Sequence, residues 1–324
     1  MHTFQRFRRL RKSPYLLDLF QETRLHTHDL IYPLFIRSGD GGKRAIQSMP
    51  GQYQLTMKDL DEELREIDRL QIRAVMPFGI PAFKDGTGTE VLQADSLMVQ
   101  AIKKIKDIVP HMTVIPDLCL CDYTEHGHCG PLDEKTGRTD NDKTLAFLQK
   151  AAVYFAEAGA DVLAPSGMMD GAVLSIRYAL DESGFSETGI MHHTAKYASS
   201  FFGPFREALE CGLKSGDRKG HQINPANGRE ALAELQCDIQ EGVDIVLVKP
   251  ASLYLDIIKL FHQECSLPIA AYHVSGEYAM LHAAAQNGWI DLRKCTLEAL
   301  TAIKRAGAQT IITYSAKDVA RYLQ

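Results

Sequence analysis

Three stretches decide the fold: A-G-A-D-V-L-A-P (158–165), E-G-V-D-I-V-L-V-K-P (241–250) and A-G-A-Q-T-I-I-T-Y (306–314). In each, a polar helical segment ends in glycine and a short apolar run follows. Glycine supplies the left-handed turn that closes a helix. The run after it is too short for a helix and too uniformly apolar for a half-exposed strand, so it reads as a strand buried on both faces of a parallel sheet. Working outward, the pattern gives eight strands: 30–36, 74–79, 113–118, 162–165, 189–194, 245–248, 268–273 and 310–314. Helical spacing separates them, as in Leu60, Leu64 and Ile67, or Leu145, Leu148, Ala152 and Phe155. Asp170 is expected to cap a helix from Gly171, and Ser252 one over 253–261. No G-x-G-x-x-G opens a helix and no linker divides the chain. The expected fold is α/β, one (β/α)₈ TIM barrel over 29–324 behind an extended N-terminal arm over 1–28.

The 324 residues carry 45% hydrophobic and 24% charged side chains and a net charge of −5. That is a globular composition with no basic field for nucleic acid. The exception is the arm, where Arg6, Arg8, Arg9, Arg11 and Lys12 cluster; packing on another subunit is expected of it. No apolar run reaches the ~20 residues of a membrane span, and M-H-T-F-Q-R-F-R-R-L lacks the apolar stretch of a secretory signal. Seven cysteines, three of them crowded together, fit a reducing, cytoplasmic setting better than a disulfide framework.

Barrel enzymes place reactive groups where strands end. Here those ends carry Asp117, Cys119 and Cys121, then Ser166, Lys196, Lys249, Ser275 and Tyr314. Cys119, Cys121 and Cys129 fall within D-L-C-L-C-D-Y-T-E-H-G-H-C. Three thiolates suit zinc and leave a fourth position open, unless His126 or His128 fills it as a structural ligand. Lys249 follows I-V-L-V. Poor solvation and a second cation, Lys196, would lower its pKa and free an amine to attack a ketone. Either lysine could instead pair with a carboxylate. The excursion after Lys196 holds Arg206, Lys214, Arg218 and Lys219 among glycines, and reads as a lid over an anionic substrate or as a solvated loop.

These motifs resemble the porphobilinogen synthase (5-aminolevulinate dehydratase) family along almost the whole chain. They are R-R-L-R-K-S, the cysteine segment, A-P-S-x-M-M-D-G, K-Y-A-S-S-F-F-G-P-F-R-E-A, G-D-R-K-x-x-Q-x-N-P, V-K-P-A and V-S-G-E-Y-A-M. The resemblance implies condensation of two 5-aminolevulinate molecules to porphobilinogen with loss of two waters, in tetrapyrrole (haem) biosynthesis, by a homo-octamer. It implies an imine on Lys249 assisted by Lys196. Ser275 and Tyr314 would hold one substrate carboxylate, and Arg206, Arg218 and Gln222 the other. Asp117 would lie beside the amine and Ser166 in the pocket wall. Cys119, Cys121 and Cys129 would bind catalytic zinc. Glu234 would take an allosteric magnesium, with Arg11 across an interface, although Gly228 stands where relatives often carry Arg. Gly220 replaces the cysteine of a further zinc site, so none is expected. The competing readings are another class I aldolase and a non-enzymatic zinc-storage scaffold.

Overall fold

The computed structural model describes residues 4–214 and 216–324; position 215, in the lid excursion, and the first three residues lie outside the described residues. Eight parallel strands close on themselves. They are Leu30–Arg37, Ala74–Ile80, a third strand in two pieces (Thr113–Val114 and Asp117–Leu118), Val162–Pro165, Gly189–Lys196, Ile245–Lys249, Ile269–His273 and Thr310–Thr313. Each pairs with the next. Leu30↔Ile311 and Ile31↔Ile312 shut the ring. The third strand breaks because Pro116 has no N–H to give a ladder. Its first piece pairs with the second strand and its second piece with the fourth. The expected strands are recovered to within two residues.

The uniform apolar runs are explained by two packed layers. Outside the ring, Leu64, Ile67, Leu148, Phe155 and Ile258 fill the space between strands and helices. Inside it, Ile31, Met76, Ile115, Met191, Leu247, Ala270 and Ile312 plug the barrel. Each such Ile, Leu or Met stabilises the fold by roughly 1.5–3 kcal/mol when fully buried. Helix ends follow the expected chemistry. Asp140 caps Asn141–Glu157 by accepting from the Lys143 N–H at 3.1 Å, and Gly242 (φ +90) closes Arg229–Glu241.

Two expected caps are corrected. Gly171, not Asp170, precedes Ala172–Glu182. Asp170 is instead clasped by Asn141, which takes its N–H at 2.9 Å and gives its amide to its carbonyl at 3.1 Å. Ser252 opens a 3₁₀ turn, Ser252–Tyr254, and the helix starts only at Leu255. Its N–H donates to Glu277 at 2.6 Å, so it is bound elsewhere.

Before the barrel, Phe7–Arg11 forms a 3₁₀ turn and Pro14–Leu19 a helix, neither with a buried residue. Phe4, Phe7, Leu10, Tyr15, Leu17, Leu19 and Phe20 all stand exposed. A short antiparallel pair, Arg44–Ala45 with Tyr53–Leu55, joins the first strand through Phe35↔Gln54. It carries Gln52, whose amide donates to the Tyr314 carbonyl at 3.1 Å. Among the described residues no helix is long and apolar enough to cross a membrane.

Candidate active site

Lys249 ends the sixth strand, 3% exposed, and Lys196 ends the fifth, 4% exposed. They are direct register partners on adjacent strands. This pairing depends on an irregularity. His192 faces Val246, yet Ala195 faces Val248, so one extra residue enters the fifth strand between them. Side chains alternate along a strand, and a one-residue slip sends all that follow to the opposite face. Met191 points into the barrel core. His192 points outward, its Nδ1 2.7 Å from Asp238. Without the bulge Lys196 would share the outward face; with it, Lys196 turns in beside Lys249.

Burial, and then the Lys196 ammonium, bring Lys249 down to about 7, against the opposing pull of Asp117, Cys121 and Cys119. Its Nζ lies 4.0 Å from the Tyr272 ring centroid, 4.9 Å from Phe205 and 5.7 Å from Phe202. Lys196 Nζ donates to the Ser166 carbonyl. Asp117 closes the group. Burial pushes its carboxyl up to about 6, while both lysines pull it down. Ser166 Oγ donates to Asp117 Oδ2 at 3.1 Å, and Oδ1 has no partner. His193 also sits here, its Nδ1 3.2 Å from the Pro165 carbonyl. Burial and the two lysines hold it well below its ordinary pKa, hence neutral.

Beside this group the sulfurs of Cys119, Cys121 and Cys129 lie within 4.8 Å of one another, all buried. Cys121 is held well below the ordinary thiol range because Cys119, Cys129 and Cys211 donate to its sulfur, despite burial. A buried trio of cysteine sulfurs is the donor set of a soft metal, so the residues present fit the metal that the resemblance implies. His126 and His128 are not in the group. His126 binds the Gly86 carbonyl through Nε2 at 2.9 Å.

The excursion after Lys196 flanks both groups. It comprises Ser200–Phe202, the helix Gly203–Ala208 and, among the described residues, turns and bends over 209–214 and 216–222. Arg218 is 4% exposed and donates through Nη2 to the Gly127 carbonyl at 2.6 Å. Gly127 (φ +74) meets the Cys211 carbonyl so closely that a Cβ would stand 2.6 Å from it. Arg206 is half-buried, and burial together with Arg218 lowers its pKa. Arg206 Nε, Arg218 Nε and Gln222 Nε2 are buried without partners among the described residues. Buried donors are normally satisfied, so these mark where an anion would bind. Lys214 and Lys219 stay exposed, paired with Glu125 and Asp217.

Ser275 opens the helix Ser275–Gln286. Its Oγ accepts from the Phe205 N–H at 3.0 Å, tying lid to barrel. The Tyr314 hydroxyl lies 2.9 Å from that of Tyr272. Glu234 is elsewhere. It lines a separate cavity of about 230 Å³ with Asp170, His192, Glu230 and Asp238. Burial, then the Asp238 and Asp170 carboxylates, raise it to about 7. Thus ten of the residues singled out by sequence gather around the barrel mouth and the excursion after Lys196, Ser275 and Tyr314 join them through Phe205 and Tyr272, and Glu234 lies apart.

The family model for delta-aminolevulinic acid dehydratase matches residues 4–322. This chain belongs to the delta-aminolevulinic acid dehydratase family. The dehydratase of Halalkalibacterium halodurans is 49% identical over 321 residues, covering 99% of this chain and 97% of that one. That of Staphylococcus aureus (strain Mu50) is 49% identical over 320 residues, covering 99% of each. The Toxoplasma gondii delta-aminolevulinic acid dehydratase (porphobilinogen synthase), solved with its reaction product porphobilinogen, superposes with a TM-score of 0.97 at 41% identity, over 99% of this chain and 92% of that one. The dehydratase fold seen here is thus that of the product-bound relative.

Sequence reasoning missed several members of the site. Tyr272, Phe202 and Phe205 around Lys249 look like ordinary core aromatics in the sequence. Cys211 reads as one of four scattered cysteines, yet it is 1% exposed and hydrogen-bonds Cys121. The bulge has no local signature beyond the polar H-H-T within an otherwise apolar strand.

Proposed function

We propose that the chain condenses two molecules of 5-aminolevulinate to porphobilinogen with release of two waters, a step of tetrapyrrole biosynthesis. The observation that carries this reading is the lysine pair. A buried amine brought near neutrality by a second cation is what imine chemistry on a ketone needs. The Lys249 Nζ lone pair adds to the ketone carbon of one substrate, and the former carbonyl oxygen leaves as water. Lys196 assists, or binds the second substrate. Asp117, partly protonated near neutrality, can pass a proton at the departing oxygen or the adjacent amine.

Ser275 and Tyr314 would hold one substrate carboxylate, and Arg206, Arg218 and Gln222 the other; the unpartnered buried donors of the latter three support this. Cys119, Cys121 and Cys129 would hold zinc, which would supply a Lewis acid for a substrate carbonyl or amine. A class I aldolase would use the barrel and lysine but has no need of three thiols beside them. Glu234 would take an activating magnesium, with the partner subunit's Arg11 nearby. Its carboxylate neighbours supply oxygen donors that suit such an ion. The exposed apolar residues of the arm suit subunit contacts in a homo-octamer. A cytoplasmic location fits seven free cysteines.

Borohydride reduction in the presence of 5-aminolevulinate tests the reading. A stable adduct should map to Lys249, and product formation should stop on chelation. No adduct, or one mapping only to surface lysines, would refute it.

A further inference from the structure

A second group of metal-ligating atoms lies next to the first. The Cys121 sulfur, an Asp122 carboxylate oxygen and the Cys211 sulfur fall within 4.8 Å of one another, all three buried. Cys211 is not among the atoms gathered with Cys119 and Cys129. Its hydrogen-bonding thiol neighbour is Cys121 alone. It is therefore no fourth corner of the first group. Cys121 stands at the junction of two donor sets.

We propose that Cys121, Asp122 and Cys211 form a second site for a soft divalent cation such as zinc or cadmium, with the Cys121 thiolate shared between the two ions. Burial supports it. Cys121, Asp122 and Cys211 are 3%, 1% and 1% exposed, so their donor atoms face one another. Cys211 hydrogen-bonds the Cys121 sulfur, and Asp122 accepts from that sulfur at 3.3 Å. Lys84 faces Asp122, but its ammonium is engaged by the carbonyls of Leu209 at 3.0 Å and Glu210 at 3.3 Å. A divalent ion would displace the protons of Asp122 and Cys211 and take both donors. Thiolate and carboxylate together suit zinc-like ions better than magnesium or calcium.

The site also spans two parts of the fold, the cysteine segment and the excursion after Lys196. Cys211 follows the lid helix, its N–H donating to the Arg206 carbonyl at 3.1 Å. Glu210 before it takes a left-handed backbone (φ +51) that turns the thiol inward. The lid meets the cysteine segment again where the Lys214 N–H reaches the His126 carbonyl at 3.4 Å. An ion here would tie that excursion to the loop that carries the first site. Binding releases the thiol proton of Cys211 to solvent.

The inference shares Cys121 with the first metal site proposed above, so the test separates the two. The full-length assembled protein, reduced and stripped of metal, is titrated with cadmium alone, following thiolate-to-cadmium absorption and counting bound ions by dialysis. Two successive steps are expected, both with new thiolate absorption. Cys211→Ser should lose the second step and keep the first. Asp122→Asn should weaken the second step by about tenfold or more, which is ~1.4 kcal/mol, and it serves as the probe should Cys211→Ser not fold. Saturation of the wild-type chain at one ion, whether by three thiolates or four, overturns the second site, as does an unchanged second step in Cys211→Ser. Loss of the first step in the wild type refutes the first site instead.

Discussion

The upper and lower halves of the barrel interior are built from the same strands and do opposite things. Lower down, Ile31, Met76, Met191, Leu247 and Ile312 fill the ring with apolar side chains. Two residues further along the sixth strand, Leu247 gives way to Lys249, and the neighbouring strand ends contribute Asp117, Ser166 and Lys196. The lower layer gains stability from burial. The upper layer sacrifices some, since desolvating two ammonium groups and a carboxylate opposes folding. What it gains is reactivity: an amine lowered to about 7 and a carboxyl raised to about 6, both close enough to neutrality to exchange a proton.

That division can be broken from either side. The largest expected effect is on chemistry. Lys249→Ala should lower porphobilinogen formation by on the order of 10⁴-fold or more, with a melting temperature equal to or above the wild type's because a desolvated amine is gone. Turnover near the wild-type level would sink the assignment. Next comes Phe155→Ala, deep between helix and sheet and fully buried. It should cost about 3–5 kcal/mol of stability, read by denaturant titration, while the chains that remain folded still trap substrate on Lys249. Loss of trapping at full fold occupancy would mean that the two layers are not separable.

The smallest effect is one of pH. Lys249 near 7 is protonated below that value and then has no lone pair to give. The rate of borohydride-trappable imine formation should therefore be flat above about pH 8 and fall roughly tenfold per unit below about 6. Because the Lys196 charge helps to lower Lys249, Lys196→Met should move the midpoint upward. A midpoint that stays put or moves down would show that burial alone sets the amine.

Much of this was legible in the sequence, for physical reasons. Strands buried on both faces must be apolar throughout, so E-G-V-D-I-V-L-V-K-P announces both its strand and the lysine that interrupts it. The cysteine segment was legible because its ligands are close in the chain. Cys211 was not, since only folding of the lid brings it to Cys121. The caps at Asp170 and Ser252 failed because tertiary partners, Asn141 and Glu277, took those backbone groups instead. The strand pair that carries Gln52 escaped because two or three residues are too few to show a period.

The bulge in the fifth strand has a consequence for inheritance. Between His192 and Ala195 the strand is one residue longer than its partner requires, so the second amine enters the pocket through the parity of a residue count. Deleting Thr194 would leave every named polar residue at the mouth in the sequence, yet it would turn Lys196 out toward the helices. A lineage could keep each letter of the lysine motifs and still lose one of its two amines through a single in-frame codon loss upstream.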